Sequence, residues 1–445
     1  MGKRQRIWRR LSTFQWIILG FAGVILLGAL LLSLPFAARD HRAVPFSDAL
    51  FTSVSAVCVT GLVVRDTATA WSGFGQVVLL LLIQTGGLGV VTVAASLSRI
   101  TGRRITLKQR SALQEAVSAP KLGGIVRFTG FVVRVTLISE LAGTLLLLPV
   151  FCRDFGLRGI WLALFHAVSA FCNAGFDLMG SPEAPYVSLT GYSAVAWVNL
   201  VIMLLIILGG IGFVTWDDIR TNRFHVNRYR MQSKVILTAT GLLITFPALL
   251  FFLTEYAGLP LGERILAALF QSVTTRTAGF NTADLGALSG AGRGVMILLM
   301  LVGGSPGSTA GGMKTTTLAV LLASAAAVFR RQEDCAFFSR RVNRETVRTA
   351  SALGMLYLGL WFVGGLCISL AEGLPLGDCL FETASAVGTV GLSLGLTPGL
   401  GAFSRVILMI WMFLGRVGGL TLIYAALSGA AGSAAQLPQE QITVG

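Results

Sequence analysis

Four short stretches of the chain carry a glycine in a frame that could hold a cation with backbone oxygens. They are Val59-Thr60-Gly61-Leu62, Asn173-Ala174-Gly175-Phe176, Thr277-Ala278-Gly279-Phe280 and Thr389-Val390-Gly391-Leu392. Glycine lets the backbone take extended or left-handed angles with carbonyls turned inward. Gly61, Gly175, Gly279 and Gly391 around one axis would give a ring of oxygens able to replace the water around a potassium ion. The four glycines recur at gaps of 114, 104 and 112 residues, with Phe51, Phe165, Phe270 and Phe381 nine or ten residues upstream. A period of this length means one structural unit used four times.

The elements that must position these stretches are short. Segments 45–60, 157–173, 261–277 and 375–389 are apolar but only about 15–17 residues long, or roughly 22–26 Å as helix against about 30 Å of hydrocarbon. Such a segment enters and returns on one side, and its non-helical end is tolerable only where it is buried in protein or lines water. A half-helix ending at membrane depth points its partial negative charge at the bilayer centre, where it favours a partly dehydrated cation. Pro45 and Pro375 mark two starts, and a glycine marks every end.

Composition places the chain in a membrane. Hydrophobic residues make up 54% and charged residues 12%, against about a quarter charged in soluble domains. Runs of spanning length lie at 14–36, 73–98, 194–216 and 235–254, with interrupted ones at 128–151, 294–329, 349–370 and 406–428. That predicts eight spans, the first too long and too poorly cleavable for a signal peptide and read as a retained anchor. The net charge of +15 speaks about topology. Assigning the N-terminus and the loops near 99–127, 220–234 and 330–348 to one side puts 23 of the 35 Lys and Arg there, including Lys3, Lys108, Lys121 and Lys234. By the positive-inside rule that side is cytoplasmic. Because the basic residues follow membrane edges and form no separate domain, a nucleic-acid partner is not expected.

Inside the second span of each unit lies another glycine cluster: 85–89, 209–212, 303–312, and Gly415 with Gly418 and Gly419. The first two read as close helix packing in lipid. The third differs. Gly303, Gly304, Ser305, Pro306, Gly307, Ser308, Thr309, Ala310, Gly311 and Gly312 are polar, flexible and interrupted by proline, and they will not hold an unbroken helix. Broken helices at membrane depth are acceptable where they line a cavity, which assigns this stretch to a mobile gate under the filter. Lys314 follows at once and could hold its resting position. Arg416 sits inside the last span, where a buried cation is costly and usually functional. It could repel a passing ion or neutralise a carboxylate. Arg276 directly precedes the third filter and should face away from the pore, toward Glu382 or, second, Asp177. Asp48 and Asp378 read as helix-start acids, and His166 as a packing histidine.

The six cysteines show no metal or disulfide spacing. No HExxH, GxSxG or paired aspartates on facing spans suggest an enzyme. A carrier that alternates access for another solute is a rival reading, supported by the broken third-unit helix. Four matching half-helices argue against it.

Taken together, the four filter stretches, the glycine-rich loop at 303–312 and Arg416 closely resemble the Trk/Ktr/HKT superfamily of potassium transporters, over nearly the whole chain. Within it the chain is most similar to KtrB-type membrane subunits, since Trk-type subunits typically carry two extra N-terminal spans. The resemblance implies an all-α integral membrane protein with four M1–pore-helix–M2 repeats in pseudo-fourfold arrangement. It places repeats at 12–100, 126–217, 234–328 and 346–430, with a tail at 431–445. Implied too are K+ as the transported ion, a homodimer, and a cytoplasmic nucleotide-binding regulatory subunit of KtrA/TrkA type. Sodium-preferring relatives carry serine at the first filter glycine, so Gly61 implies potassium. Na+ as coupling or activating ion is common among Ktr systems, and no feature of this chain establishes it. The expected location is the cell (inner) membrane.

Overall fold

The computed structural model of the chain describes residues 12–100, 107–116 and 124–419. Lys3, Lys121, the end of the last span and the tail at 431–445 lie outside them.

The regular secondary structure of the described residues is helical apart from a two-stranded hairpin, Ala336–Phe337 with Arg340–Arg341. It repeats one plan four times: an outer helix, a short pore helix and an inner helix. In the first repeat these are α1 (Thr13–Leu32), α2 (Phe46–Val57) and a bent pair, α3 (Gly73–Leu88) with α4 (Val90–Ile100). A connecting helix, α5 (Leu107–Ala116), leads to α6 (Ile125–Phe155), α7 (Arg158–Phe171), and the pair α8 (Ala196–Gly210) and α9 (Phe213–Asn222). The third repeat is α10 (Met231–Thr254), α11 (Leu261–Thr274), α12 (Gly290–Leu301) and α13 (Thr315–Phe329). The fourth is α14 (Arg344–Glu372), α15 (Leu376–Gly388) and α16 (Ala402–Val417).

Among the described residues four helices are long and apolar enough to cross a membrane unbroken: Phe14–Leu32, Ile125–Phe155, Met231–Thr254 and Arg344–Glu372. These are the outer helices. The bent inner helices of the first two repeats raise the count to six if each pair is one span. They turn by 98° and 95°, at Gly89 (φ 83°, ψ 131°) and Gly212 (φ 95°, ψ 137°). Gly418 ends α16 with the same angles, φ 90° and ψ 133°. A side chain strongly disfavours this backbone conformation, so glycine is what permits the turn. The expectation of simple packing glycines in the first two clusters is therefore half right. Gly86 and Gly209 do press against the pore-helix carbonyls of Val57 and Phe171, but the glycine three residues later breaks the helix.

The pore helices form the centre of the fold. Phe51, Phe165, Phe270 and Phe381 are fully buried, one per repeat. Each anchors its half-helix against the surrounding spans by close packing of a large side chain, the kind of contact that holds helices together in lipid. Pro45, Pro260 and Pro375 are the N-caps of α2, α11 and α15, where proline's missing N–H costs nothing. Asp48 and Asp378 occupy first turns, as expected, and also pair across repeats. Arg405 reaches Asp48 at 3.1 Å and Arg293 reaches Asp378 at 3.4 Å.

Candidate functional site

Immediately after each pore helix the backbone follows the same unusual path. Val59, Asn173, Thr277 and Thr389 all have positive φ, between 52° and 66°, and two residues later Gly61, Gly175, Gly279 and Gly391 have φ between 67° and 93°. Positive φ is uncommon for any residue and a true outlier for β-branched Val59, Thr277 and Thr389. Such strain, of order 1–3 kcal/mol per residue, persists only where the surroundings over-determine it.

Hydroxyls in the last turns of the pore helices do part of that work. Gly61 N–H donates to Ser55 Oγ at 3.1 Å and Gly391 N–H to Ser385 Oγ at 3.0 Å. Ser169 Oγ donates to the Phe176 carbonyl at 2.7 Å and Thr274 Oγ1 to the Phe280 carbonyl at 2.6 Å. The main chain is tied as well: Thr60, Ala174 and Val390 N–H each donate at 2.8 Å to the carbonyls of Ser55, Ser169 and Ser385. These four hydroxyl residues were missed in the sequence. Their signal is a Ser or Thr five or six positions before each of the four glycines.

The four strands meet. A Cβ built on Gly61 would lie within 2.6 Å of the Ala174 carbonyl oxygen, one on Gly175 within 2.6 Å of Ala278 O, one on Gly279 against Val390 O, and one on Gly391 against Thr60 O. Each strand thus touches the next in the order 1-2-3-4-1, and the circle closes. All four glycines line one cavity of about 290 Å³, with Asp66, Asp177, Asn281 and Ser393 on its wall.

On the other side of the ring lies the 303–312 stretch. It is irregular, as expected, and it separates α12 from α13. Thr309 N–H donates to Gly209 O at 3.2 Å and its hydroxyl to Phe171 O at 3.0 Å. Gly312 N–H donates to Gly415 O at 3.0 Å. Gly311 lies against Thr389 with no room for a side chain. Lys314 turns back and donates from Nζ to Ala310 O at 2.8 Å. A second cavity, of about 240 Å³, is lined by the loop, by Lys314 and Arg416, and by Gly89 and Gly418.

Arg416 joins these parts. Its guanidinium donates to the carbonyls of Thr309 in the loop and of Gly86 and Gly87 in α3, the last at 3.0 Å. Among the described residues it forms no ion pair, so of the two roles open to it the neutralised carboxylate is not seen.

Arg276 corrects an expectation. It does face away from the ring and is 5% exposed, but neither Glu382 nor Asp177 pairs with it. Its Nη2 donates to Thr240 Oγ1 at 3.3 Å, and its Nε has no partner among the described residues. Glu382 is already saturated within its own repeat. It accepts from Ser393 Oγ at 2.7 Å, Leu394 N–H at 2.9 Å and Thr397 Oγ1 at 2.6 Å, fixing the turn after the fourth strand. Asp177 accepts from Met179 N–H at 3.0 Å.

His166 is the packing histidine anticipated: Nδ1 donates to Leu162 O at 2.7 Å and Nε2 accepts from Leu178 N–H at 3.4 Å. One buried acid was overlooked. Glu140 in α6 accepts from Gln84 Nε2 at 3.1 Å and lies 3.7 Å from the Cys172 sulfur, just before the second strand.

Residues 14–431 match the TrkH family model, described as a cation transport protein. The chain is 38% identical to the potassium/sodium uptake protein NtpJ of Enterococcus hirae, over 99% of both chains. It is 37% identical to Ktr system potassium uptake protein B of Bacillus subtilis, over 94% of both. The crystal structure of the potassium transporter TrkH from Vibrio parahaemolyticus superposes with a TM-score of 0.70 at 20% identity, covering 91% of this chain and 84% of that one. With a family match over nearly its whole length and relatives this similar end to end, the chain belongs to the TrkH family of cation transport proteins.

Proposed function

We propose that the chain is the ion-translocating membrane subunit of a potassium uptake system, and that K+ passes through the four-strand ring. The closed cyclic contact of Gly61, Gly175, Gly279 and Gly391 carries this reading. In it, carbonyls of residues 59–61, 173–175, 277–279 and 389–391 take the place of the ion's water. The pore-helix dipoles add negative potential at the same point. The names of two relatives, both potassium uptake proteins, point the same way. The Gly303–Gly312 stretch acts as the gate, held by Lys314 and Arg416, and Arg416 adds a positive barrier beneath the filter. Arg276 and Glu382 support the filter separately, one behind the third strand and one behind the fourth.

Flux is passive and runs inward with the membrane potential, which contributes about 2.3 kcal/mol per charge for each 100 mV. The basic side of the chain faces the cytoplasm of a cell membrane, by the positive-inside rule. The chain works as a homodimer with a nucleotide-binding regulatory subunit. Na+ enters the reading only as an accessory ion, since one relative is named for both cations.

The test is Gly61→Ser in proteoliposomes with K+ and Na+ gradients. Serine puts its Cβ onto the Ala174 oxygen, so the ring must open and discrimination must fall. An unchanged K+/Na+ ratio in a folded variant removes the filter assignment.

A further inference from the structure

The proposed gate is bonded to the proposed filter, and the bond runs through one amide. Thr309 Oγ1 lies 3.1 Å from Asn173 Oδ1 and shares its proton with Phe171 O. Asn173 Nδ2 donates onward to Arg276 O at 3.3 Å and Thr277 Oγ1 at 3.4 Å. Arg276 O can only accept, which fixes the orientation of the amide. Asn173 and Thr309 are both fully buried. One planar side chain therefore links the loop, the second strand and the third strand. The contact on the opposite side is of another kind. There Gly311 and Gly312 press against Thr389 and Gly388, and among the described residues no side-chain hydrogen bond joins them and Thr389 Oγ1 has no partner.

We infer that Asn173 couples the gate to the filter, so that withdrawing the 303–312 loop changes ion discrimination as well as flux. This rests on the filter and gate reading above. When Thr309 leaves, the Asn173 carbonyl oxygen is left buried without its donor, which is costly in a dry interior. Oδ1 and Nδ2 belong to one rigid group, so any rotation that re-pairs the oxygen breaks the bonds to Arg276 and Thr277. Those bonds hold the strand whose Ala278 carbonyl abuts Gly175 in the ring. A closed loop thus holds the selective geometry, and an open loop loosens strands two and three. Asn173 acts here as a positioning residue through its side chain, apart from any ion contact by its carbonyl.

The experiment uses the full chain in proteoliposomes, reading K+ flux and the K+/Na+ permeability ratio together. Thr309→Val keeps the branched volume and removes the hydroxyl; Thr309→Ser keeps the hydroxyl. The expected result for Val is flux raised and the ratio lowered, each by about threefold or more, the scale of coupling between contacting residues. Ser should behave as the parent chain. Arg416→Lys, which keeps the charge but cannot hold Thr309 O together with the Gly86 and Gly87 carbonyls and touches no filter strand, should lower the ratio in the same direction, and it covers the case in which the Val variant fails to fold. Raised flux at an unchanged ratio in either variant overturns the coupling while leaving the gate intact. An altered ratio at unchanged flux overturns it too. Failure of the underlying reading is separate: it would show as an unchanged ratio in Gly61→Ser.

Discussion

Arg405 Nη1 lies 3.1 Å from Asp48 Oδ1, although the two residues are 357 positions apart. Arg405 opens the inner helix of the fourth repeat and Asp48 the pore helix of the first, so this pair closes the circle of repeats on its outer side. Arg293 and Asp378 make the same connection from the third repeat to the fourth. Asp48 also holds Arg65 at 2.7 Å. Asp48→Asn should weaken both contacts at once. Partly exposed ion pairs are worth about 0.2–1 kcal/mol each, so a fall of about 1 kcal/mol in stability is expected, seen as a lower unfolding temperature in detergent. An unshifted temperature would mean that the Asp48 pairs add nothing to the closure of the repeats.

Ser55 and Ser385 accept from the amides of Gly61 and Gly391, which must otherwise be unpaired in the wall of the ring. Replacing either by Ala leaves a buried N–H without a partner, at about 1–3 kcal/mol. That is enough to shift filter conformers by about tenfold, since each 1.4 kcal/mol is a factor of ten. The expected outcome is a lower K+/Na+ ratio at normal protein yield, in Ser55→Ala and Ser385→Ala alike. Reduced yield with an intact ratio would make these residues folding elements only.

How much of this was legible beforehand depends on what each residue leaves behind in the sequence. The ring glycines could be read because a positive-φ position at a crowded axis admits almost nothing else, and they recur four times at similar gaps. Phe51, Phe165, Phe270 and Phe381 gave the register for the same reason. The break at 303–312 announced itself through proline and hydroxyls in an apolar run. Gly89 and Gly212 did not, because a glycine in a span looks the same whether it packs or bends. The partner of Arg276 was misjudged because nothing in the sequence shows that the turn after the fourth strand offers Glu382 three donors. Asp48 with Arg405 was invisible: pairing at that separation exists only after the ring has closed.

Asp177 stands just beyond the second strand, on the wall of the outer cavity. Burial pushes its carboxyl up to about 7, and the nearby charge of Asp66 works in the same direction. The carboxylate is therefore charged above that pH, where it attracts cations to the mouth, and neutral below it. A unit charge at about 4 Å in water is worth about 1 kcal/mol. Uptake at limiting K+ should fall by about fivefold as the outside medium is acidified through this range. Asp177→Asn should remove the dependence and fix uptake at its low-pH value. A full pH response in the Asn variant would place the titrating group elsewhere.

Arg416 holds three carbonyls on two separate elements, and the geometry of its side chain decides what substitutions should do. A guanidinium offers five donors in a rigid fork, while an ammonium is a compact point charge. Lysine at this position keeps the positive charge but cannot span Thr309, Gly86 and Gly87 together. Glutamine keeps some hydrogen bonding and removes the charge. If the barrier is mainly electrostatic, Arg416→Gln should raise K+ flux well above Arg416→Lys. If it is mainly a latch on the loop, the two should raise flux equally. The first is expected, because a full charge beside a dehydrated cation at an effective dielectric of about 20 is worth about 4 kcal/mol at 4 Å, more than the one or two hydrogen bonds that lysine would lose. Tracer uptake by the purified chain, without any regulatory subunit, separates the two, and flux lowered by both substitutions would exclude Arg416 from the barrier altogether.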